Sequence, residues 1–293
     1  MSEIIPLKKM DMHLHTRFSK EGLSVRFFKI PVCMTGDPVE LYQKAKRIGM
    51  DFVTFTDHDT IDGCLHFLEK MPHVDDFIVS EEITTSDPEH KFNMHINAYD
   101  ITRLQHDRIA KIRKDFPRLI EYLKEQNIFY SYNHPFWHRY YDLLAMVPKP
   151  KGRIYELARN FPAVEGINSY RFPEQNSLTQ EMAKQLGISI IAGSDSHSGG
   201  IGRAYTLARA NNVKEFLSEV RLGRTQVVGK DYGYKDLYQE CMNIFYGKMK
   251  DYDHLRKMVM YVINPLYKLI VRTKVRNSNI VQKKIMDLMR VKN

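Results

Sequence analysis

Near the start of the chain two histidines stand one residue apart, His13 and His15, just after a short run that reads as a first strand. Residues i and i+2 of a strand point to one face, so the pair aims two imidazoles at one point. Converging neutral imidazoles suit a divalent metal. A His-x-His pair is too short to define a site by itself, and ordinary surface pairs are common. Asp195 and His197 repeat the spacing late in the chain, offering a carboxylate and an imidazole from a single strand end. Between the two pairs stand His58, Glu82, His95 and His134. Together these residues supply six imidazoles and two carboxylates. That exceeds what one tetrahedral zinc can use and predicts a cluster of two or three metals.

The elements that must position these groups are legible as an alternation. Asp37-Pro38 reads as an N-cap with proline in the first turn of a helix that stops at Gly49. Buried strands are expected at 52–56, 77–80, 92–99, 128–132, 163–168 and 188–192, with a short last strand at 225–228. Helices are expected at 62–70, as one long polar helix over 102–126, in a stretch ending at Gly187, and at 213–222. Strands alternating with helices predict a parallel sheet with right-handed crossovers. About seven or eight such units in roughly 230 residues fit a closed, TIM-like α/β barrel better than an open sheet. The polar residues above fall at or just past the carboxyl ends of these strands, with His95 inside one, and those ends share the active face of such a barrel.

The 293 residues are 43% hydrophobic and 27% charged, an ordinary composition for a soluble chain with a sizeable core. Cys33, Cys64 and Cys241 are few, scattered and odd in number, and residues 1–6 lack a basic-then-apolar signal pattern. Both features predict a reducing, cytoplasmic setting. The formal charge of +9 is concentrated at one end, since residues 230–293 carry 14 Lys and Arg against 6 Asp and Glu. Apolar residues interleaved with those charges predict a basic extension of two or three amphipathic helices, kinked at Pro265. Three readings of the extension stand side by side: a helical appendage packed on the barrel, a contact for nucleic acid, or a contact for an anionic membrane surface. No apolar run approaches the ~18 residues of a spanning helix.

The motifs, taken in order, resemble one known family. Asp11-x-His13-x-His15-Thr16, Thr56-Asp57-His58-Asp59, the apolar strand into Glu82, His95, Asn133-His134-Pro135 and Gly193-Ser-Asp195-Ser-His197 look like those of the polymerase and histidinol phosphatase (PHP) family of metal-dependent phosphoesterases. The resemblance covers roughly residues 6–229 and leaves 230–293 outside as a separate unit. It implies a distorted (β/α)7 barrel holding a trinuclear site of zinc, manganese or iron. By the same resemblance His13, His15, Glu82 and Asp195 hold the first metal. Glu82 bridges to a second, completed by His95 and His134. The third takes His58, His197 and Glu21, where the family carries aspartate or histidine.

Paired metals about 3.5 to 4 Å apart turn a shared water into hydroxide near neutral pH and bind phosphoryl oxygens. The expected reaction is therefore hydrolysis of a phosphate ester, with a phosphomonoester of a small metabolite or nucleotide as substrate. Asp57 is expected to orient a ligating histidine rather than to bind metal. Glu81 competes with Glu82 for the bridging place. Arg17, Arg171 and Arg203 lie near the expected pocket loops and could receive phosphate, as arginine's planar fork suits, with Arg203 the first choice because Gly199, Gly200 and Gly202 let its loop approach a ligand closely. Trp137 and His138 follow His134 and could line the mouth, whereas His66, His73, His90, His106 and His254 read as surface or structural. The glycines at 199, 200 and 202 lack the Gly-Lys-Ser of a nucleotide loop, and no Gly-x-Ser-x-Gly marks a serine nucleophile. The rivals are a phosphodiesterase or nuclease using the basic extension, a metal-binding module without catalysis, and an amidohydrolase-type barrel, which would want a bridging lysine.

Overall fold

A computed structural model of the chain describes residues 5–19, 36–137 and 151–229. Glu21, His138, His254 and the basic extension at 230–293 lie outside the described residues. The first element is strand β1 (Leu7–Met10). Helix α1 (Pro38–Arg47) starts as expected: the Asp37 carboxylate accepts from the Val39 N–H at 2.9 Å, Pro38 takes the first turn, and Leu41, Tyr42 and Ala45 are buried. Strand β2 (Val53–Phe55), helix α2 (Asp62–Lys70), strand β3 (Phe77–Ser86) and strand β4 (Asn93–Tyr99) follow. Then come helices α3 (Arg103–Ile112) and α4 (Phe116–Glu125), strand β5 (Phe129–Asn133), helix α5 (Lys151–Ala158) and strand β6 (Ala163–Asn168). Helix α6 (Pro173–Leu186), strands β7 (Ser189–Gly193) and β8 (Ala204–Arg209), helix α7 (Val213–Arg221) and strand β9 (Thr225–Gly229) complete the described part.

Six strands form one curled sheet in the order β2-β3-β4-β5-β6-β7, and β1, β8 and β9 form a second sheet. The chain after β1 reaches both edges of the six-stranded sheet. Met10 bridges Phe52 beside β2, Leu14 bridges Ser196 beyond β7, the Met12 N–H donates to the Ala192 carbonyl at 3.4 Å and the Thr56 N–H to the Leu14 carbonyl at 2.8 Å. The segment holding His13 and His15 therefore spans the gap between the two sheet edges, joined by single bridges rather than by a continuous ladder.

Three sequence expectations differ from this architecture. The sheet is not uniformly parallel, because β3 and β4 form an antiparallel pair and β4 is antiparallel to β5 as well. The connection from Ser86 to Asn93 is far too short for a crossover helix, which needs a dozen or more residues, so the chain must double back. Strand β3 does not stop before Glu81 but runs on to Ser86, placing Glu82 within the strand. The expected single helix over 102–126 is two helices. Asp115 caps α4 through the Arg118 N–H at 3.3 Å and Pro117 sits in its first turn, a position proline tolerates only at a helix start. Strand β8 and helix α5 are elements that the sequence pattern did not suggest.

The alternation of side chains across the curled sheet sorts them by chemistry. Glu82, Asn97, Ser131 and Ala163 lie side by side in register on four neighbouring strands, as do Thr84, His95 and Asn133 on three. Residues one step along, among them Ile83, Ile96, Tyr132 and Val164, join Ile109, Leu119, Leu123, Leu157 and Met182 of the surrounding helices in the main apolar core. One face of the sheet is thus sealed by helices, and the other is buried yet lined by polar groups.

Truncating that core should cost stability. Leu123 is fully buried, so Leu123→Ala is expected to lower unfolding stability by about 2–5 kcal/mol in a denaturant titration. Leu104 is 80% exposed, and Leu104→Ala should stay within ~0.5 kcal/mol of wild type.

Candidate metal centre

Five imidazoles converge on one carboxylate. Glu82 is fully buried, and its Oε2 lies 3.1 Å from His13 Nε2, 3.3 Å from His15 Nε2 and 3.2 Å from His58 Nδ1. Its Oε1 lies 3.3 Å from both His95 Nδ1 and His134 Nε2, and accepts from the Asn133 side-chain N–H at 2.9 Å. Asp195 Oδ1 completes one side, 3.2 Å from His15 Nε2 and 3.6 Å from His197 Nδ1. Glu81 points to the other side of the strand and pairs with His106 at 2.9 Å. The two neighbours on β3 are separated by the period of the strand, since alternate residues face opposite ways.

Each element delivers its group by a local device. His13 and His15 sit on the spanning segment, aimed together with Nε2 atoms 3.1 Å apart. Asp57 accepts from the Thr16 N–H and hydroxyl, both at 2.6 Å, and so ties the turn after His15 to the end of β2; it touches Thr16 rather than an imidazole nitrogen. The short hairpin folds β4 back so that His95, near its start, meets the carboxyl ends of β2, β5 and β7. His134 and Asp195, just past β5 and β7, take left-handed backbone with φ of 29° and 51°. Side chains other than glycine pay roughly 1–3 kcal/mol for such conformations, a cost typical of functional turns. Gly193 is required where β7 passes the spanning segment, because a Cβ there would collide with the His13 side chain.

Two residues to which the sequence pattern gave no role belong to the cluster, one of them the first residue of the opening motif. Glu165 of β6 is 1% exposed, with Oε1 2.8 Å from His13 Nδ1 and Oε2 accepting from the His134 backbone N–H at 3.0 Å. Asp11 is buried and accepts from the Ser194 and Gly202 N–H groups at 2.8 and 2.9 Å, holding the β7 loop to the spanning segment. A carboxylate inside the otherwise apolar strand at 163–168 was the available signal for Glu165.

Of the three arginines, Arg171 reaches the cluster, 2.7 Å from Asp195 Oδ2 with its guanidinium 5.0 Å from the Trp137 ring centre. Trp137 in turn lies 5.6 Å from the His95 ring and 5.3 Å from the His134 ring. Arg17 pairs with Asp37 at 3.1 Å and its side chain is 48% exposed, and Arg203 is exposed on the turn before β8.

Charge is strongly partitioned. Burial pushes the Glu82 carboxyl up, but the imidazoles of His13, His58 and His95 outweigh it and hold Glu82 well below the usual carboxylate range. Against burial, Arg171 and His13 do the same for Asp195. His15, although desolvated, is raised to about 9 by its bonds to Asp195 and Glu82, and His13 is raised by Glu82 and Glu165. Burial lowers His134 to about 3, aided by the charge of Arg171, and lowers His197 to about 3, aided by that of His15.

This donor set fits divalent cations. His13, His15 and Asp195 bring their donor atoms within 4.8 Å of one another, as do His58, Glu82 and His95, then His15, His58 and His197, and His13, His134 and Glu165. Both ring nitrogens of His95 and Nδ1 of His197 are buried with no hydrogen-bond partner among the described residues. Buried polar atoms are rarely left so unless an ion or water meets them.

Residues 173–225 match a family model described as PHP-associated. In fold the chain is similar to a two-domain protein from Bacteroides vulgatus that contains a predicted PHP-like metal-dependent phosphoesterase, with a TM-score of 0.53 at 19% identity over 83% of this chain and 70% of that one. It is equally similar to PsfC from Pseudomonas syringae, with a TM-score of 0.53 at 14% identity over 83% and 98% of the two chains. The lesion-specific endonuclease PfuEndoQ from Pyrococcus furiosus gives a TM-score of 0.50 at 17% identity, covering 77% of this chain and only 60% of the endonuclease. No curated protein matches the chain in sequence. At these identities the likeness concerns the fold.

Metal loading should depend on pH with a definite sign. Because His15 is raised to about 9 and His13 is raised as well, loading a cation must release protons, and zinc affinity should rise with pH up to about 9. Calorimetry in buffers of different ionisation enthalpy measures the released protons, and pH-independent binding would contradict the partition described above.

Proposed function

We propose that this chain, which carries a PHP-like fold and a PHP-associated segment at 173–225, is a metal-dependent phosphoesterase. The observation that carries the reading is Glu82, a buried carboxylate met by the five imidazoles of His13, His15, His58, His95 and His134. In this reading His13, His15, Glu82 and Asp195 hold one cation. Glu82, His95 and His134 hold a second, and His58 and His197 hold a third together with Glu21. Zinc, manganese and iron suit the mixed nitrogen and oxygen donors. Bound cations supply the Lewis acidity that polarises a phosphoryl group and lowers the pKa of water.

The chain's own residues prepare that chemistry. Glu82 and Asp195 provide fixed negative charge in a site closed by β3, β4 and the spanning segment. The desolvated His134 and His197 keep neutral imidazoles at neutral pH, so their lone pairs are available as donors. Arg171, held at the cluster by Asp195 and backed by Trp137, offers a planar fork to phosphoryl oxygens. The His197 side chain, 24% exposed, marks the side from which substrate enters. Among the described residues one guanidinium reaches the cluster, which matches one terminal phosphoryl group and favours a phosphomonoester of a small metabolite or nucleotide. The reading keeps the reducing, cytoplasmic setting and a distorted (β/α)7 barrel over 1–229.

A second reading is a phosphodiesterase or nuclease on oligonucleotides. The fold likeness to a lesion-specific endonuclease favours it, together with the excess of Lys and Arg over 230–293 as a strand-binding or membrane-binding extension. A steep loss of activity with rising salt would separate it from the monoesterase. A metal-binding module without catalysis is the third.

Elemental analysis should find two to three divalent cations per chain. Hydrolysis of an aryl phosphate should fall at least about a hundredfold in kcat/KM in His134→Ala. One cation or fewer per chain, with no hydrolysis after manganese or zinc reconstitution, would move the non-catalytic module to first place.

A further inference from the structure

Glu165 is a buried carboxylate to which none of the roles above has been given. Three donors meet its two oxygens. Oε1 lies 2.8 Å from His13 Nδ1, while Oε2 lies 3.0 Å from the His134 backbone N and 2.9 Å from the Asn168 side-chain nitrogen. The same Asn168 nitrogen lies 3.0 Å from Asp195 Oδ2. Glu165 thus touches His13 and His134 directly and reaches Asp195 through one amide.

We infer that Glu165 is a positioning residue that locks His13 in the Nδ1–H form and holds His134 and Asp195 in place, rather than a ligand in its own right. This rests on the metal-centred reading given above. Although Glu165 lies close enough to His13 and His134 to form a donor group with them, the hydrogen bonds favour the positioning role. A carboxylate accepts, so His13 Nδ1 carries the hydrogen and Nε2 is left to face Glu82, His15 and Asp195. Both Glu165 oxygens already accept from protein donors, Oε1 from His13 Nδ1–H and Oε2 from the His134 backbone N–H and the Asn168 side chain. A carboxylate behind a ligating imidazole fixes its tautomer and orientation, and removing one commonly weakens metal binding 10–100-fold. Oε2 also anchors the strained left-handed turn at His134, whose φ is 29°. Asp57, expected from the sequence to orient a histidine, bonds Thr16 instead, and Glu165 occupies that place.

Glutamine cannot substitute. Whichever way its amide turns, an N–H faces either His13 Nδ1–H or the donors from His134 and Asn168. Zinc competition against a chromophoric chelator, run on the full chain, should therefore show Glu165→Gln with the wild-type number of cations but about 10–100-fold weaker affinity. In zinc-loaded wild type, a long-range proton–nitrogen NMR spectrum of labelled histidines, assigned with His13→Asn, should show His13 protonated at Nδ1. That second readout needs no Glu165 variant and survives if Glu165→Gln fails to fold. One cation fewer per chain in Glu165→Gln would make Glu165 a ligand and overturn the inference, as would unchanged affinity or an unprotonated His13 Nδ1. Zinc on wild type with any of these results overturns this inference alone, whereas no zinc on wild type overturns it together with the metal-centred reading.

Discussion

The constraint on which the structure depends is a negative charge buried away from solvent. Glu82 sits in the middle of a buried polar face, and an isolated carboxylate there would be far too costly to keep ionised. The surrounding imidazoles reverse that cost and hold it ionised. Strands β2 to β6 place polar side chains on this face, among them Thr54, bonded to Ser80 at 2.7 Å, and Glu82, and the segments following β2 and β7 contribute His58 and Asp195. The apolar face and its helices close the other side. The polar face is therefore a buried site that the helices hold shut from behind.

Geometry around that charge is held by hydrogen bonds to backbone as much as by side-chain pairs. Asp57 fixes the turn after His15, Asp11 ties the β7 loop to the spanning segment, and Glu165 anchors the turn at His134. Left-handed backbone at His134 and Asp195 shows where the chain accepts local strain to aim a side chain. Such strain persists only when surrounding bonds over-determine it. Three buried carboxylates that do not face Glu82 supply that support.

The balance of charge explains why the arginine at the cluster is Arg171. Asp195 faces imidazoles on one side and a guanidinium on the other, so it stays ionised although buried. Arg171 gains a fixed place against Trp137. Arg17 has its own partner in Asp37, away from the imidazoles, and Arg203 stands exposed on the turn before β8.

Much of the centre was legible in the sequence because metal-type donors follow strand periodicity. The i, i+2 spacing of His13 with His15 and of Asp195 with His197 is a local property, and so are the apolar runs before Glu82 and His134. The Asp37-Pro38 helix start and the left-handed Gly49 are equally local. Which strands run antiparallel was decided by tertiary structure, since the 87–92 connection reads as a turn without saying which neighbours β4 will pair with. The break between α3 and α4 was written in Asp115 and Pro117, within the stretch 102–126 that reads as one long polar helix. Glu165 was invisible as a site residue because its partners, His13 Nδ1 and the His134 N–H, come from segments distant in sequence. Residue types and periods determined what could bind a cation. Only the curvature of the sheet, which brings His95 of β4, the ends of β2 and β5 and the segment after β1 around Glu82 of β3, decided which groups meet, because the meeting depends on long-range pairing that no local pattern encodes.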